Sequence, residues 1–542
     1  MNLKHRKIVI TASILLFPFI STAQEKGLDQ TINDAFMPFA IWWEELILSP
    51  IPIFGFSIPL ILIILVLGAI FFTVYFGFIN IKHFSTAIQV VRGKYDAVEQ
   101  NDLKLQTSVY EVDGDIVDTI KNEAHHGEVN HFQALATAVS GTVGLGNIAL
   151  VAVAISIGGP GATFWMAFAG LIGMSTKFVE CTLGVKYRDI DKQGNVYGGP
   201  MYYLSRGLKE RGFKRFGKFL GILFAILCVG ASFGGGNAFQ TNQAAAQIVT
   251  QFNIQGDASG TIVGIVFAIL VGIVIIGGIK RIAKVTEKIV PFMAAIYVIV
   301  ILVIIFSNFS YIDDAIALIF KEAFSPRATI TGGTIGVMIQ GFRRAAFSNE
   351  AGAGSAAIAH SAVNTKYAAS EGLVGLLEPF IDTVVICSLT AITIVMFNID
   401  GAFKYGDVVN GMALMEDGSR VGGVNLTSLA FEKAIPGSSY LLVIAVTLFA
   451  FSTILSWSYY GLQAWKFLFG RAKLTDLIFK IIFLAFTVLG AAITMDAVIK
   501  FSDAMILALV FPNMIGLFFL FPKVKEELKR YLLAIKTAAK FN

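Results

Sequence analysis

The sequence predicts an all-α polytopic membrane protein of about eleven transmembrane helices. Two observations set the class. Of the 542 residues 56% are apolar and only 15% charged, a balance that argues against a chain of soluble domains. The apolar residues are also gathered into runs with few or no charges, each near the ~20 residues that cross a hydrocarbon core. A third observation bears on architecture: two of the runs are interrupted by glycine and polar residues.

The chain opens on MNLKHRKIVITASILLFPFISTAQEK, with a basic head at Lys4, His5, Arg6 and Lys7, a short apolar stretch and a Ser-Thr-Ala exit. That is a signal-peptide pattern over residues 1–23, cut after Ala23, with an uncleaved anchor as the alternative. An extracytoplasmic segment, 24–56, and an extra span within 57–82 follow, then a cytoplasmic loop, 83–131. Runs at 132–159, 160–185, 219–254, 261–279 and 289–312 make up a first half, 132–312. Runs at 328–342 with its continuation, 372–397, 438–464, 481–495 and 504–522 make up a second, 313–522. The tail, 523–542, mixes Lys and Arg with Leu, Tyr and Ile at helical spacing and reads as an amphipathic cytoplasmic helix on the anionic inner leaflet.

Loop charge supports this threading. Loop 186–218 is dense in Lys and Arg, and 280–288 holds Lys280, Arg281, Lys284 and Lys288; both fall on the expected cytoplasmic side. Loops 307–327 and 398–437, expected outside, carry comparatively few. The net charge of +5 is therefore loop asymmetry and no nucleic-acid footprint. Cys181, Cys228 and Cys387 all fall in expected spans, which suggests no disulfide framework.

The interruptions carry the chemistry. In VSGTVGLGNIALVAV, residues 139–153, Ser140, Gly141, Gly144, Gly146 and Asn147 are weak helix formers inside a membrane run. Five spans later, TGGTIGVMIQGFRRAAFSNEAGAGSAAIAH, residues 331–360, is punctuated in the same manner. Paired glycine-broken segments in two halves point to an inverted-repeat transporter. Unwound backbone offers N–H groups to a carboxylate and carbonyls to Na⁺. Close helix packing is the alternative, and it fits Gly332 and Gly336 better than 140–147. Gly144 to Ala149 also matches G-x-G-x-x-A, but without a βαβ setting the match is accidental.

Residues 140–147 resemble the first core helix of the bacterial leucine transporter, with VGLGN in common. Longer stretches, including GFRRAAFSNEAGAGSAAIAH, YGGPMYYL, FIDTVVICSLTA and FSTILSWSYYG, resemble the alanine or glycine:cation symporters, also called sodium:alanine symporters. The resemblance implies a leucine-transporter-type 5+5 inverted repeat with one extra N-terminal span. It implies Na⁺ held by the carbonyls of Ser140 and Val143 and the hydroxyls of Ser452 and Thr453; hydroxyls bonded back into their own helix are the alternative for that pair. The N–H groups of Leu145 and Gly146 take the substrate carboxylate, and Thr142 and Asn147 line the pocket or a second cation site. Gln240 is expected to contact substrate, with helix-to-helix bonding as the alternative, and Trp457 to close over a small side chain beside Thr453. Asp382, four residues after Glu378, is expected to help bind the cation or relay a proton. Arg343, Arg344 and Glu350, placed in the cytoplasmic half of their span, are candidates for a gating or structural ion pair. Two departures stand out: Leu150 and Arg344-Ala345, where family members commonly have Gly and Arg-Gly.

The expected activity is Na⁺-coupled import of alanine or glycine by alternating access in the inner membrane, with serine as a leak and no cofactor. Proton coupling through Asp382 is the alternative. An enzyme reading is weak, since no His lies in an expected core span. HHGEVNH, residues 125–131, lacks zincin spacing and reads as a polar cytoplasmic loop.

Overall fold

The computed structural model describes residues 27–53, 55–100, 127–191, 194–327 and 330–541. The expected signal peptide, 1–23, lies outside the described residues, as do His125 and His126. Helix α1, Leu28–Ile47, and a hairpin of β1, Pro50–Ile53, and β2, Phe56–Pro59, precede α2, Leu60–Tyr75. α2 falls within the expected extra span and stops short because Gly77 and Phe78 turn the chain through the left-handed region.

α3, His131–Thr142, opens on a capping box. The Asn130 side-chain oxygen accepts the Gln133 N–H at 2.8 Å, and the Gln133 oxygen accepts the Asn130 N–H at 3.1 Å. α4, Ala149–Gly158, resumes after a 54° bend. There follow α5, Ala162–Lys186; α6, Lys214–Gln251, with a π turn at Gly234–Ala238; α7, Ser259–Ile275; α8, Gly278–Ser307; and α9, Gly333–Asn349. α10, Ala368–Phe397, is π-wound over Phe380–Cys387. A three-stranded antiparallel sheet, β3 (Phe403–Val409), β4 (Met412–Met415) and β5 (Arg420–Gly422), leads into α11, Gly423–Ala434. α12, Ser438–Phe469, α13, Lys473–Ala492, α14, Met495–Ala508, and α15, Val510–Phe541, complete the chain.

Seven helices among the described residues are long and apolar enough to cross a membrane, eight when the bent α3–α4 pair counts as one. α3 packs on α8 and α12, α4 on α9 and α11, and α5 on α9 and α10, so the bent helix lies at the centre. α7 packs on α13 and shows Ile262, Ile265, Ile269 and Ile273 outward, an apolar face suited to lipid.

Two segments differ from expectation. The 398–437 stretch is a small sheet and helix seated on α4, with the Thr427 hydroxyl donating to the Ile148 carbonyl at 3.1 Å. The 523–542 tail is no separate surface helix: α15 runs through Pro522 unbroken. Tyr531 is fully buried and donates to Glu99 at 2.9 Å, and Lys186 pairs with Glu527 at 2.7 Å. Part of the apolar face read as lipid-binding is therefore covered by protein.

Candidate functional site

α3 stops because Val143 leaves helical backbone (ψ 80°) and Gly144 is extended (φ −124°, ψ −155°); one 3-10 turn, Leu145–Asn147, leads to α4. Apart from the Asn147 amide nitrogen, which donates to Asp382, polar atoms along the end of α3 and the break are met by neutral groups. The Thr453 hydroxyl donates to the Ser140 carbonyl at 2.8 Å, and the Ser140 hydroxyl donates to the Ser452 carbonyl at 2.7 Å. Gln240 Oε1 accepts the Leu145 N–H at 2.8 Å, while Asn147 Oδ1 accepts the Gly144 N–H at 3.0 Å. Gly144 is needed here, since a Cβ would stand 2.6 Å from Thr453 Oγ1 and 2.9 Å from Gln240 Oε1. Gly146 lies under Phe347, which a Cβ would approach to 3.3 Å. Thr142 and Ser452 turn back into their own helices, to the Ala138 carbonyl at 3.3 Å and the Phe449 carbonyl at 3.1 Å. Val143 is buried beside them.

A second break faces the first. α9 ends where Glu350 takes a left-handed conformation (φ 55°), and Gly352 and Gly354 follow at φ 96° and 81°. Its polar groups meet charged partners. The Gly352 N–H donates to Glu180 at 2.9 Å, and Glu350 accepts the Ser355 hydroxyl. Two residues join the breaks. Trp457 Nε1 lies 3.3 Å from the Gly141 carbonyl and 3.2 Å from Glu350 Oε1. Asp382 accepts from Asn147 Nδ2 at 2.6 Å, Ser348 at 2.8 Å and Thr383 at 2.6 Å. The π turn of α6 brings Gly236 against the Trp457 indole, where a Cβ would lie 2.1 Å away. Every one of these side chains is buried, so the arrangement is closed to water and rich in oxygens and N–H groups fit for a small zwitterion and a hard cation.

Residues 45–541 match the sodium:alanine symporter family. The chain belongs to that family. The sodium/alanine symporter AgcS of Methanococcus maripaludis is 35% identical over 483 residues, 89% of this chain and 96% of that protein. The amino-acid carrier protein AlsT of Bacillus subtilis is 34% identical over 72% of each chain. Among solved structures, MhsT in complex with L-phenylalanine is 12% identical with a TM-score of 0.48, covering 74% of this chain and 100% of that one. This symporter therefore couples amino-acid transport to a cation and is no enzyme.

In this sodium:alanine symporter family member, Arg343 and Arg344 do not pair with Glu350. Arg343 reaches Asp503 at 2.9 Å and Glu44 of α1 at 2.6 Å, and Arg344 also pairs with Asp503. They sit before the break, at the end of the site covered by α1. Glu378 and Asp382 have different partners: Glu378 meets Lys177 at 3.2 Å, while Asp382 turns to Asn147. The π winding from Phe380 departs from the α period that a four-residue spacing assumes. His131, read as part of a polar loop, is buried between Glu99 and Glu371. Sequence reasoning also missed Lys177 and Glu180 in α5, although charges inside a membrane run are the signal that finds such groups.

Proposed function

We propose that this chain imports alanine or glycine with Na⁺ by alternating access across the inner membrane. The observation that carries the reading is the Thr453 hydroxyl on the Ser140 carbonyl, 2.8 Å apart, with Ser452 and Val143 alongside. A Na⁺ ion replaces that hydrogen bond by drawing both oxygens, and the carbonyl of Val143, onto itself. The substrate carboxylate takes the N–H groups of Leu145 and Gly146; Gln240 now caps the first and yields when substrate arrives. Trp457 covers the small side chain, and pocket volume, worth about 1–3 kcal/mol per methylene, leaves room for serine.

The helices form two inverted repeats of five behind α2, about eleven spans in all, with the N-terminus outside and the C-terminus in the cytoplasm. One charge moving through 100 mV supplies ~2.3 kcal/mol, enough to concentrate substrate before the ion gradient is added. A second reading, proton coupling, is favoured by Asp382 being fully buried with three neutral donors on its carboxylate.

The test is labelled-alanine uptake into proteoliposomes under a Na⁺ gradient. Concentrative, sodium-dependent uptake is expected for the wild type and its loss for Thr453→Ala. Sodium-independent uptake abolished by Asp382→Asn would replace Na⁺ by H⁺, and unimpaired transport by Thr453→Ala would remove that residue from the ion site.

A further inference from the structure

Away from the two breaks, a line of ionisable side chains runs through the protein. It begins at Glu99, 5% exposed, which accepts from Tyr531 at 2.9 Å and Thr365 at 2.6 Å and meets His131 Nε2 at 2.9 Å. His131 Nδ1 contacts Glu371, whose other oxygen lies 2.5 Å from His360 Nδ1. His360 Nε2 stands 3.5 Å from Glu378, and Glu378 meets Lys177 at 3.2 Å. Glu180 and Glu350 lie within electrostatic reach of that lysine, Arg188 of Glu371, the Cys181 thiol of His360, and Asp382 of Glu378. Consecutive members from Glu99 to Lys177 lie within 3.5 Å of one another.

His131 fixes a proton on this line. Its Nε2 meets Glu99 and its Nδ1 meets Glu371, so each ring nitrogen faces a carboxylate oxygen. Both contacts need a hydrogen between them, one more than a neutral imidazole and two carboxylates carry. Both carboxylates are buried, so losing that proton while α3 is seated would leave facing acceptors in a dry site.

We propose that the line from Glu99 to Lys177 is a proton-binding site reached from the cytoplasmic end, loaded while α3 is seated and emptied when α3 lifts away. His131 is the first residue of α3, and Glu371 belongs to α10, so separating the two exposes the carboxylates to water, where they ionise. Protons on the cytoplasmic side then hold that end shut. The inference rests on the alternating-access reading and its orientation, and is independent of which cation drives transport.

The test uses right-side-out vesicles carrying the full chain, with external pH and Na⁺ fixed and internal pH stepped through the neutral range. Initial alanine uptake is expected to fall as the inside is acidified, approaching about tenfold per pH unit for one linked proton. Glu99→Gln and Glu371→Gln flatten the dependence. A wild-type rate indifferent to internal pH overturns the proposal, as does a slope that survives in both folded variants. If neither variant folds, a pH-indicator dye with purified wild-type protein in weak buffer decides: Na⁺ plus alanine shifts the dye by on the order of one proton per chain, or the proposal fails. Sodium dependence is read in the same vesicles, so its loss with the pH response intact sinks the sodium reading alone.

Discussion

The two breaks solve one problem with different materials. At Val143 to Ile148 the helix is interrupted among hydroxyls and amides, from Thr453, Gln240 and Asn147. At Glu350 to Ala356 the partners include Glu180, and Asn513 bridges Glu180 at 2.7 Å and the Gly352 carbonyl at 2.8 Å. Neutral bonds net only about 0.5–1.5 kcal/mol each and are readily exchanged for a guest, whereas a buried charge loses far more when its partner leaves. The first break is therefore held by the more readily exchanged partners, and the second is the more firmly fixed of the two.

Breaking this comparison starts with the largest effect. Glu180→Ala removes the acceptor of the Gly352 N–H and of Asn513 and unbalances Lys177, an expected loss of about 3–5 kcal/mol that prevents folded protein from accumulating. Wild-type yield and thermal stability of that variant in detergent would refute the firmer hold. Asp503→Ala strands Arg344 in the same way and is expected to cost about as much, read by the same melt. Asp382→Asn, at the joint of the two breaks, is expected to fold with about 1–3 kcal/mol less stability and to lose most transport, measured as initial uptake rate.

First-break variants sharpen the contrast from the other side. Gln240→Ala costs roughly 1 kcal/mol of stability and about tenfold in apparent substrate affinity, seen as a raised half-saturation concentration in uptake assays. As a control away from both breaks, Lys500→Ala, which removes a partly buried one-turn pair with Asp496 on α14, changes the melting free energy by less than about 0.5 kcal/mol. A Gln240 variant as unstable as Glu180→Ala would erase the distinction.

Much of the fold was legible locally. Val143 to Ile148 reads as a break because Gly144 and Gly146 lower the cost of leaving the helix, and Asn130 with Gln133 marks the start of α3. The pairing of Thr453 with Ser140, across 313 positions, was reachable through resemblance and not through spacing. Asp503 as partner of the arginines was invisible, since only the packing of α9 beside α14 brings them together. His131 misled because its neighbours in sequence are polar while its neighbours in space are carboxylates.

By itself the sequence determined that the chain is largely apolar helix and where two of its apolar stretches stop being helical, because hydropathy and glycine content act over a few residues. Tertiary structure alone decided which charges meet at depth and that the tail is clasped by the protein. Electrostatic and packing partners lie hundreds of positions apart, and their energy depends on distance and burial that no local pattern contains.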